Sequence, residues 1–431
     1  MIDDSQFHPD SYYVATANAL PRRPALAGDL RADVCVLGAG FTGLSTALHL
    51  ARGGRSVVVL EAERVGWGAS GRNGGQLHSG QRRDQEWLEH TVGRDDAFRL
   101  WQAGEEAKAL VRDLIAEYDI ACDYTPGLLV AGHSESAARH EQKYAEKLIR
   151  DYGYRHIAML DRQEMAEALG SKRYHGGYRD RGAAHLHPLN YCLGLARAAE
   201  TEGARIFERS RVVRVEPAAA GHPARVVTAA GIVTADDVVL AGNGYLDDIE
   251  PYVESRVLPI RNYILATEPL PPHILDRILP GRECAADTRF VVRYWRLSAD
   301  GRMIFGGGET YTTRDPSDLK GFVRRHKTEV YPELADVHVT HAWGGTLAVT
   351  PLRTPLIRRL KPGLYAGTGY CGQGVGTASF AGKILADAIL GDQARLDLFS
   401  HLPVPPFPGG RLLRAPLLAL AMTWYALRDR L

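Results

Sequence analysis

Residues 34–61 limit the fold more than any other part of this 431-residue chain. The stretch begins with VCVL, an apolar run that is typical of a parallel strand buried on both faces. GAGFTG follows at residues 38–43, and apolar residues then recur at helical spacing until Gly53 and Gly54. A second apolar run, VVVL, ends at Leu60. The pattern predicts a strand, a tight glycine turn, a helix and a second strand.

The glycines of this turn have the spacing of a dinucleotide-binding site. Gly38, Gly40 and Gly43 allow the backbone to turn tightly and to approach a pyrophosphate at the N-terminus of the helix. Glu61 comes about 20 residues after Gly40, where a carboxylate can accept hydrogen bonds from the ribose hydroxyls. Strand, turn, helix and acid together therefore predict a dinucleotide site, although NAD and FAD both use such a turn.

Two further glycine-rich segments favour FAD over NAD. The loop GWGASGRNGGQ at residues 66–76 has so few side chains that a flat ring could lie against its backbone. A second strand, glycine turn and helix appear at GTGYCGQGVGTASFAGKIL, about three hundred residues after the first turn. The N-terminus of that helix would stabilise the negative charge that an isoalloxazine gains at its pyrimidine edge on reduction.

Bulk composition excludes several other classes of protein. The formal net charge is +1, which gives no electrostatic basis for binding nucleic acid. Five scattered cysteines without a CxxC pair argue against disulfides and metal, and the polar N-terminus lacks signal-peptide character, so we expect a cytoplasmic protein. No apolar run is long enough to span a membrane. The apolar tail APLLALAMTWYALRDRL is expected to form a helix that docks on the body, on another subunit or at a membrane surface.

Strand and helix patterns recur in blocks along the chain and predict an interleaved α/β fold. Rossmann-like pieces fall at residues 1–100, 181–250 and 341–400, which we assign to an FAD-binding domain. Residues 101–180 and 251–340 are assigned to an α+β substrate domain with a mostly antiparallel sheet. Residues 401–431 form a C-terminal extension.

The longer motifs resemble a known family. GxGxxG near the N-terminus, Glu61, GASGRNGGQ, HPL and the C-terminal GxxGxGxG together resemble the D-amino-acid-oxidase (DAO) superfamily of flavoproteins. Within it, VLEAERVGWGASGRNGGQ, YWRLSADGRMIFGGGETYTTRDP and AWGGTLAVTPLRTPLI resemble the gamma-glutamylputrescine oxidases and other enzymes of polyamine catabolism. The resemblance implies an FAD-binding domain of the GR2/DAO type, and oxidation of an amine C–N bond to an imine that water hydrolyses. Electrons would pass to O2 or another acceptor.

The resemblance also assigns candidate residues to the cofactor. They are Gly38, Gly40, Phe41, Thr42, Gly43, Glu61, Ala62, Ala69, Ser70, Arg72, Asn73, Gly74, Gly75, Gln76, Val213, Gly242, Gly369, Gly372, Gln373, Gly374 and Val375. Asn73 occupies the position where relatives tether the flavin covalently, so we expect non-covalent FAD.

Five residues are candidates for substrate binding and catalysis. Tyr263, Tyr294 and Trp343 lie on segments that roof the flavin in the resembled family, where they could guide a cationic amine, although each also fits a role in core packing. His78 could take a proton from the amine, with structural hydrogen bonding as its alternative. Arg353 could hold a gamma-glutamyl carboxylate or pair with a buried acid.

Departures from the family leave the substrate open. Related sarcosine oxidases hold the substrate carboxylate with an arginine near Ser79, whereas this chain has QLHS at residues 76–79. We therefore prefer a gamma-glutamylated or free polyamine as the substrate. The alternatives are an N-methyl or D-amino acid, or a flavoprotein whose FAD is structural.

Overall fold

The computed structural model describes residues 8–219, 221–310 and 315–409. The α-helices are α1 Tyr12–Ala15, α2 Phe41–Arg52, α3 Gln85–Val92, α4 Arg94–Glu117, α5 Glu135–Tyr152, α6 Arg162–Leu169, α7 Pro188–Thr201, α8 Pro251–Glu254, α9 Pro272–Leu275, α10 Leu319–Val330, α11 Gly374–Leu390 and α12 Ala394–Ser400. The predicted C-terminal helix lies outside the described residues.

The strands belong to two sheets. They are β1 Leu30–Leu37, β2 Val57–Leu60, β3 Gln76–Leu77, β4 Thr125–Ala131, β5 Ile157–Leu160, β6 Gly177–His185, β7 Arg205–Phe207, β8 Val212–Glu216, β9 Ala224–Thr228, β10 Ile232–Leu240, β11 Leu258–Pro269, β12 Cys284–Asp287, β13 Tyr294–Leu297, β14 Arg302–Thr310, β15 Val339–Val349, β16 Leu356–Lys361 and β17 Leu364–Thr368.

The first sheet has a parallel centre in the order β17-β10-β1-β2-β7. Strands β16 and β9 add antiparallel partners to it, and β8 pairs with β9. Every residue of β2 is buried, as its continuous VVVL run predicts for a strand covered on both faces. Because β1, β2, β10 and β17 are parallel, their carboxyl ends meet at one edge of the sheet, which is where α/β sheets bind ligands.

The second sheet is mostly antiparallel, in the order β15-β11-β14-β13-β12-β4-β6-β3, and β5 also pairs with β6. Only β12 and β4 pair in parallel among its described strands. The predicted β13–β14 hairpin, with its Ala-Asp-Gly turn, forms in this sheet. The predicted fold class, an α/β cofactor-binding part combined with a mostly antiparallel sheet, is confirmed.

Segments of the two sheets alternate along the chain, but three predicted boundaries fall inside elements. The boundary after residue 100 cuts α4, which packs with α7 and α11 in the core beside the first sheet. The boundaries after residues 180 and 340 cut β6 and β15, both strands of the second sheet. Hydrophobic pattern alone could not show which sheet a strand joins, because either sheet buries the same kind of residue.

Helices α2 and α11, which begin at the two glycine turns, pack tightly against each other. A Cβ at Gly382 would lie 2.4 Å from the carbonyl oxygen of Thr42, so only glycine permits this approach. Ser45 Oγ donates to the carbonyl oxygen of Ser379 at 2.6 Å. The first and last thirds of the chain are thus joined through these two helices. Within the described residues no helix is both long and apolar enough to cross a bilayer.

Candidate active site

The first glycine turn connects β1 to α2. Gly38 has φ +102°, and a Cβ there would lie 2.9 Å from the carbonyl oxygen of Ala241, so the turn requires glycine. Gly40 precedes the helix, and no side chain caps the helix from that position. The N–H of Phe41 donates to Ser70 Oγ at 3.0 Å, which attaches the turn to the loop at residues 66–76. Gly40, Phe41 and Thr42 at the start of the helix line a cavity, as an anion site at a helix N-terminus requires.

Glu61 directly follows β2 and lies beside this turn. Its carboxylate accepts the N–H of Ala39 at 2.8 Å and the N–H of Glu63 at 2.9 Å. Burial raises the pKa of Glu61, and the two N–H bonds oppose that shift by favouring the charged form. The side chain is thereby held next to the glycine turn, where the sequence predicts a ribose contact.

The second glycine turn, between β17 and α11, lies against the first. Thr42 Oγ1 is 2.6 Å from the hydroxyl oxygen of Tyr370, although 328 positions separate the two residues. Gly372 has φ +91°, and a Cβ built there would meet no atom within 4 Å, so its backbone faces open space. No side chain caps α11 from Gln373. Two helix N-termini therefore converge on one space.

That space is a cavity of about 1280 Å³ between the carboxyl edge of the first sheet and the face of the second. Its volume exceeds the roughly 300–1,000 Å³ of common ligand pockets, as a dinucleotide with a substrate would require. Most predicted cofactor residues line it: Gly38, Gly40, Phe41, Thr42, Glu61, Ala62, Ala69, Ser70, Arg72, Asn73, Gly74, Gln76, Gly242, Gly372, Gln373, Gly374 and Val375. The open backbone at Gly372 and the two helix N-termini that line the cavity fit FAD.

Asn73 organises the loop at residues 66–76. Its Nδ2 donates to the carbonyl oxygens of Ala69 and Ser70, each at 3.0 Å, and its Oδ1 accepts the N–H of Gly75 at 2.7 Å. The amide thus fixes the conformation of the loop, whose residues 67–70, 72–74 and 76 line the cavity. A carboxamide used in this way offers no nucleophile for a covalent flavin bond.

Tyr294 covers the cavity from the second sheet. It pairs with Gly306 of β14, where a Cβ would lie 2.1 Å from the tyrosine ring. The same ring packs against Gly74, where a Cβ would lie 2.6 Å from it. The hydroxyl donates to Asn262 Oδ1. Burial holds the pKa of Tyr294 far above its usual value, so the ring presents a neutral hydroxyl.

Charged side chains line the same cavity beyond the second turn. Burial, together with the nearby charge of Arg82, lowers the pKa of His78 to about 4, so the imidazole is neutral at neutral pH. Burial, with the charge of Arg353 next in importance, lowers the pKa of Arg82 to about 10. Glu309 lines the cavity too and acts on Arg82 in the opposite direction. Two predicted residues, His78 and Arg353, therefore share this region with Tyr294.

Trp343 and Tyr263 do not line the cavity, which corrects the prediction for both. Trp343 is buried against Tyr13, with ring centroids 5.1 Å apart, and its Nε1–H donates to the carbonyl oxygen of Arg72 at 3.0 Å. Tyr263 points away because side chains alternate along β11, where Asn262 and its second neighbour Ile264 face the cavity instead. Both aromatic residues fill the protein core.

Four predicted cofactor residues also lie off the cavity. Val213 is 58% exposed, whereas its neighbour Val212 lines the cavity, so the prediction was shifted by one position along β8. Gly43, Gly75 and Gly369 instead allow close approaches within the protein, to the carbonyl oxygen of Gly38, the carbonyl oxygen of Leu186 and the side chain of Thr350. They shape the site without lining it.

The two histidines of the HLHP segment have structural partners. His185 Nε2 is 2.9 Å from the carbonyl oxygen of Arg282, and His187 Nδ1 accepts the N–H of Asn190 at the start of α7. Within the described residues no three His, Cys, Asp or Glu side chains are grouped as metal ligands.

Several lining residues were not predicted, among them Trp67, Arg82, Asn262 and Phe290. Arg82 follows the flavin loop by only a few residues, and Trp67 lies within that loop, so their positions along the chain offered a signal. Asn262 could have been found from the alternation along β11 once one cavity-facing residue was known.

Comparison with known proteins identifies the class. Residues 33–388 match the DAO family model, described as FAD dependent oxidoreductase, so the chain belongs to the DAO family of FAD-dependent oxidoreductases. It is 44% identical over 420 residues to a probable oxidoreductase OrdL from Rhizobium meliloti (strain 1021), covering 97% of each chain.

It is also 40% identical over 426 residues to gamma-glutamylputrescine oxidoreductase from Escherichia coli (strain K12), covering 98% of this chain and 99% of that protein. Glycine oxidase from Geobacillus kaustophilus has a similar structure, with a TM-score of 0.71 over 84% of this chain and 95% of its own. Its 18% identity shows a shared fold only. The predicted family, FAD requirement and oxidoreductase activity are confirmed.

Proposed function

We propose that this oxidoreductase acts on the C–N bond of an amine related to gamma-glutamylputrescine, converting it to an imine that water hydrolyses to an aldehyde. The observation that carries the proposal is the 40% identity to gamma-glutamylputrescine oxidoreductase along almost the whole of both chains. Bound FAD supplies the acceptor for the hydride that leaves the carbon next to the amine, and electrons then pass to O2 or another acceptor.

The residues that line the cavity suit a neutral amine. Tyr294 and Ile264 exclude water from the roof, and desolvation lowers the pKa of an ammonium group. The positive charges of Arg82 and Arg353 also lower the pKa of an ammonium group in the cavity, because a further positive charge near them is disfavoured. Neutral His78 can accept a hydrogen bond from an amine N–H and orient the nitrogen lone pair.

We further propose that the FAD is held without a covalent bond, since Asn73 is committed to hydrogen bonds within its loop. FAD released intact by denaturing and filtering the protein supports this, and yellow colour that stays with the precipitated chain opposes it. We place the reaction in the cytoplasm because all five cysteines are buried free thiols, as is usual in a reducing compartment.

Anaerobic reduction of the flavin tests the substrate assignment. The holoprotein is mixed with gamma-glutamylputrescine, putrescine, sarcosine or D-alanine, and the long-wavelength flavin absorbance is followed. We expect gamma-glutamylputrescine to bleach the flavin fastest. Fast bleaching by sarcosine or D-alanine alone would instead identify an N-methyl or D-amino acid oxidoreductase. Bleaching by none of a wide panel of amines would favour a structural flavin and contradict the proposal.

A further inference from the structure

We propose that Glu141 and Tyr178 bind a second, positively charged group of the substrate, about 12 Å from the amine that is oxidised. This inference rests on the proposed function and narrows its substrate class to long amines that carry a second cation. The two side chains come from α5 and β6 and line the same cavity as Tyr294. We call the part of the cavity that they line its far end.

The first observation is the position of Tyr178 in the second sheet. Tyr294 pairs with Ala286 of β12, which pairs with Val130 of β4. Val130 pairs in turn with Tyr178 of β6, so these residues form one row across the sheet. All four line the cavity. Because neighbouring strands lie about 4.8 Å apart, Tyr178 is about 14 Å from Tyr294 along the row.

The length of that row matches a long amine. Tyr294 covers the part of the cavity where the flavin ring is expected. In extended gamma-glutamylputrescine, about 12 Å separate the terminal amine from the alpha-amino group of the glutamyl part. With the terminal amine at the flavin, the second nitrogen therefore reaches the region of Tyr178. Putrescine has only about 6 Å between its nitrogens and ends before that region.

The second observation is that the polar groups at the far end have no partners within the described part of the protein. There the carboxylate of Glu141 has neither a hydrogen bond nor an ion pair, and the hydroxyl of Tyr178 has no hydrogen bond. Both side chains are half-buried. A polar group that is withdrawn from water without a partner costs free energy, so both groups are available to a ligand.

The third observation is the charge that the far end presents. Burial raises the pKa of Glu141, while nearby His140 lowers it and Asp84 raises it by smaller amounts. No arginine among the described residues acts on this carboxylate. Arg289, which follows β12 and lines the cavity, is balanced by Asp287, with Nε 3.3 Å from Oδ2. A carboxylate withdrawn from water without a cation is stabilised when a cationic ligand reaches it.

A carboxylate beside an aromatic ring suits an ammonium group. Burial holds the pKa of Tyr178 well above its usual value, and Glu141 is the charged group that adds most to this shift, so the two side chains lie near each other. The tyrosine therefore stays neutral and offers its ring and its hydroxyl oxygen, while Glu141 supplies negative charge. A cation gains from both residues, whereas a neutral polar group gains only a hydrogen bond.

The test measures binding to the FAD-bound protein without turnover. When the flavin is reduced with dithionite under argon, an amine can bind but has no acceptor for its hydride. 1,8-Diaminooctane and 8-amino-1-octanol both have about 11 Å between their end groups and differ in the charge of one end. We expect calorimetric titration near neutral pH to show at least about 10-fold tighter binding of the diamine.

A shorter pair of ligands is the control. Putrescine and 4-amino-1-butanol do not reach Glu141 from the flavin, so they should bind with similar affinity. Similar affinities for the two long ligands would overturn the proposal without the use of any variant.

Variants then locate the site. In Glu141→Gln the preference for the long diamine over the long amino alcohol should disappear, because the amide carries no charge. Tyr178→Phe keeps the ring and should keep most of the preference, whereas Tyr178→Leu should reduce it several-fold. Glu146→Gln removes an exposed carboxylate from the same helix and serves as the matched control, with unchanged preference expected. FAD content and far-UV circular dichroism show that each variant is folded.

A preference for the long diamine that survives in Glu141→Gln would overturn the assignment. The outcome is separable from that of the proposed function. If no amine bleaches the flavin while the long diamine still binds through Glu141, amine oxidation fails and the cation site stands. If gamma-glutamylputrescine bleaches the flavin but the long diamine is not preferred, the proposed function stands and the cation site fails.

Discussion

The hydroxyl pair of Thr42 and Tyr370 joins the two glycine turns, and its removal should have a characteristic energetic signature. Both residues are more than nine-tenths buried, and their oxygens are 2.6 Å apart. Thr42→Val removes one hydroxyl and leaves that of Tyr370 buried without its partner. An unsatisfied buried hydroxyl costs about 1–3 kcal/mol, so we expect the free energy of unfolding to fall by that amount.

The reverse variant, Tyr370→Phe, should cost a similar amount, because it leaves the hydroxyl of Thr42 unpaired. The double variant leaves neither hydroxyl behind, so its cost should be well below the sum of the single costs. We expect a coupling energy of about 1–2 kcal/mol from this double-mutant cycle.

Urea unfolding followed by far-UV circular dichroism measures the cycle, first without added FAD and then with saturating FAD. The difference between the two conditions reports the affinity for FAD, since a ligand that binds only the folded protein stabilises it. Single costs that add without coupling would refute direct pairing of the two turns. A third variant, Thr46→Val, removes the neighbouring hydroxyl that bonds the carbonyl oxygen of Thr42 and should show no coupling to Tyr370→Phe.

Four further predictions concern single residues. Trp343→Phe should lower the free energy of unfolding by about 1 kcal/mol, because the hydrogen bond to the carbonyl oxygen of Arg72 is lost. The rate of anaerobic flavin reduction should stay unchanged, and a large loss of rate would show that Trp343 takes part in catalysis or substrate binding. Gly372→Ala should lower the free energy of unfolding by about 1–2 kcal/mol through backbone strain, since φ is +91° and its Cβ meets no atom; urea unfolding of the FAD-free protein measures this, and an unchanged stability would contradict it. Glu61→Gln should weaken FAD binding about 10-fold as well, because a carboxamide has only one oxygen for two N–H donors; unchanged affinity would contradict the role of the carboxylate. As the pH falls from about 6.5 to about 4, His78 binds a proton in the unfolded chain but not in the folded protein, so the free energy of unfolding declines. His78→Gln has no imidazole to protonate, so urea titrations of this variant should show a smaller decline over the same pH range.

The cofactor half of the site could be predicted because its signals are local. Strand, glycine turn and helix follow one another at residues 34–52, and each part has its own physical reason. The second turn repeats the pattern about three hundred residues later. Their meeting through Thr42 and Tyr370 needed the structure, although both turns were predicted to reach the same flavin.

The substrate half was predicted less well, because it depends on which face a strand presents. Tyr263 and Asn262 are neighbours on β11, and only knowledge of the sheet decides which of them enters the cavity. Trp343 shares a face with the cavity-lining Gly345 but lies beyond the edge of the cavity, beside the backbone of Arg72. Aromatic composition could not distinguish these positions, since aromatic residues fill cores and sites alike.

Arg82 shows a second limit of sequence reasoning. Nothing near it in the chain indicates that it lines the same cavity as Arg353, because that arrangement arises only when the loop after β3 and the turn before β16 come together in the fold. That Arg82 has no acidic partner among the described residues, and donates instead to the carbonyl oxygen of Cys371, becomes visible only in the folded structure.

A crystal structure of the FAD-bound protein would test most directly the claim that both glycine turns serve one flavin. We expect the pyrophosphate density at residues 38–43 and the isoalloxazine density between Gly372 and Tyr294, with the ring in van der Waals contact with the loop at residues 66–76. A flavin ring placed elsewhere, with the backbone at Gly372 still facing solvent, would contradict the account.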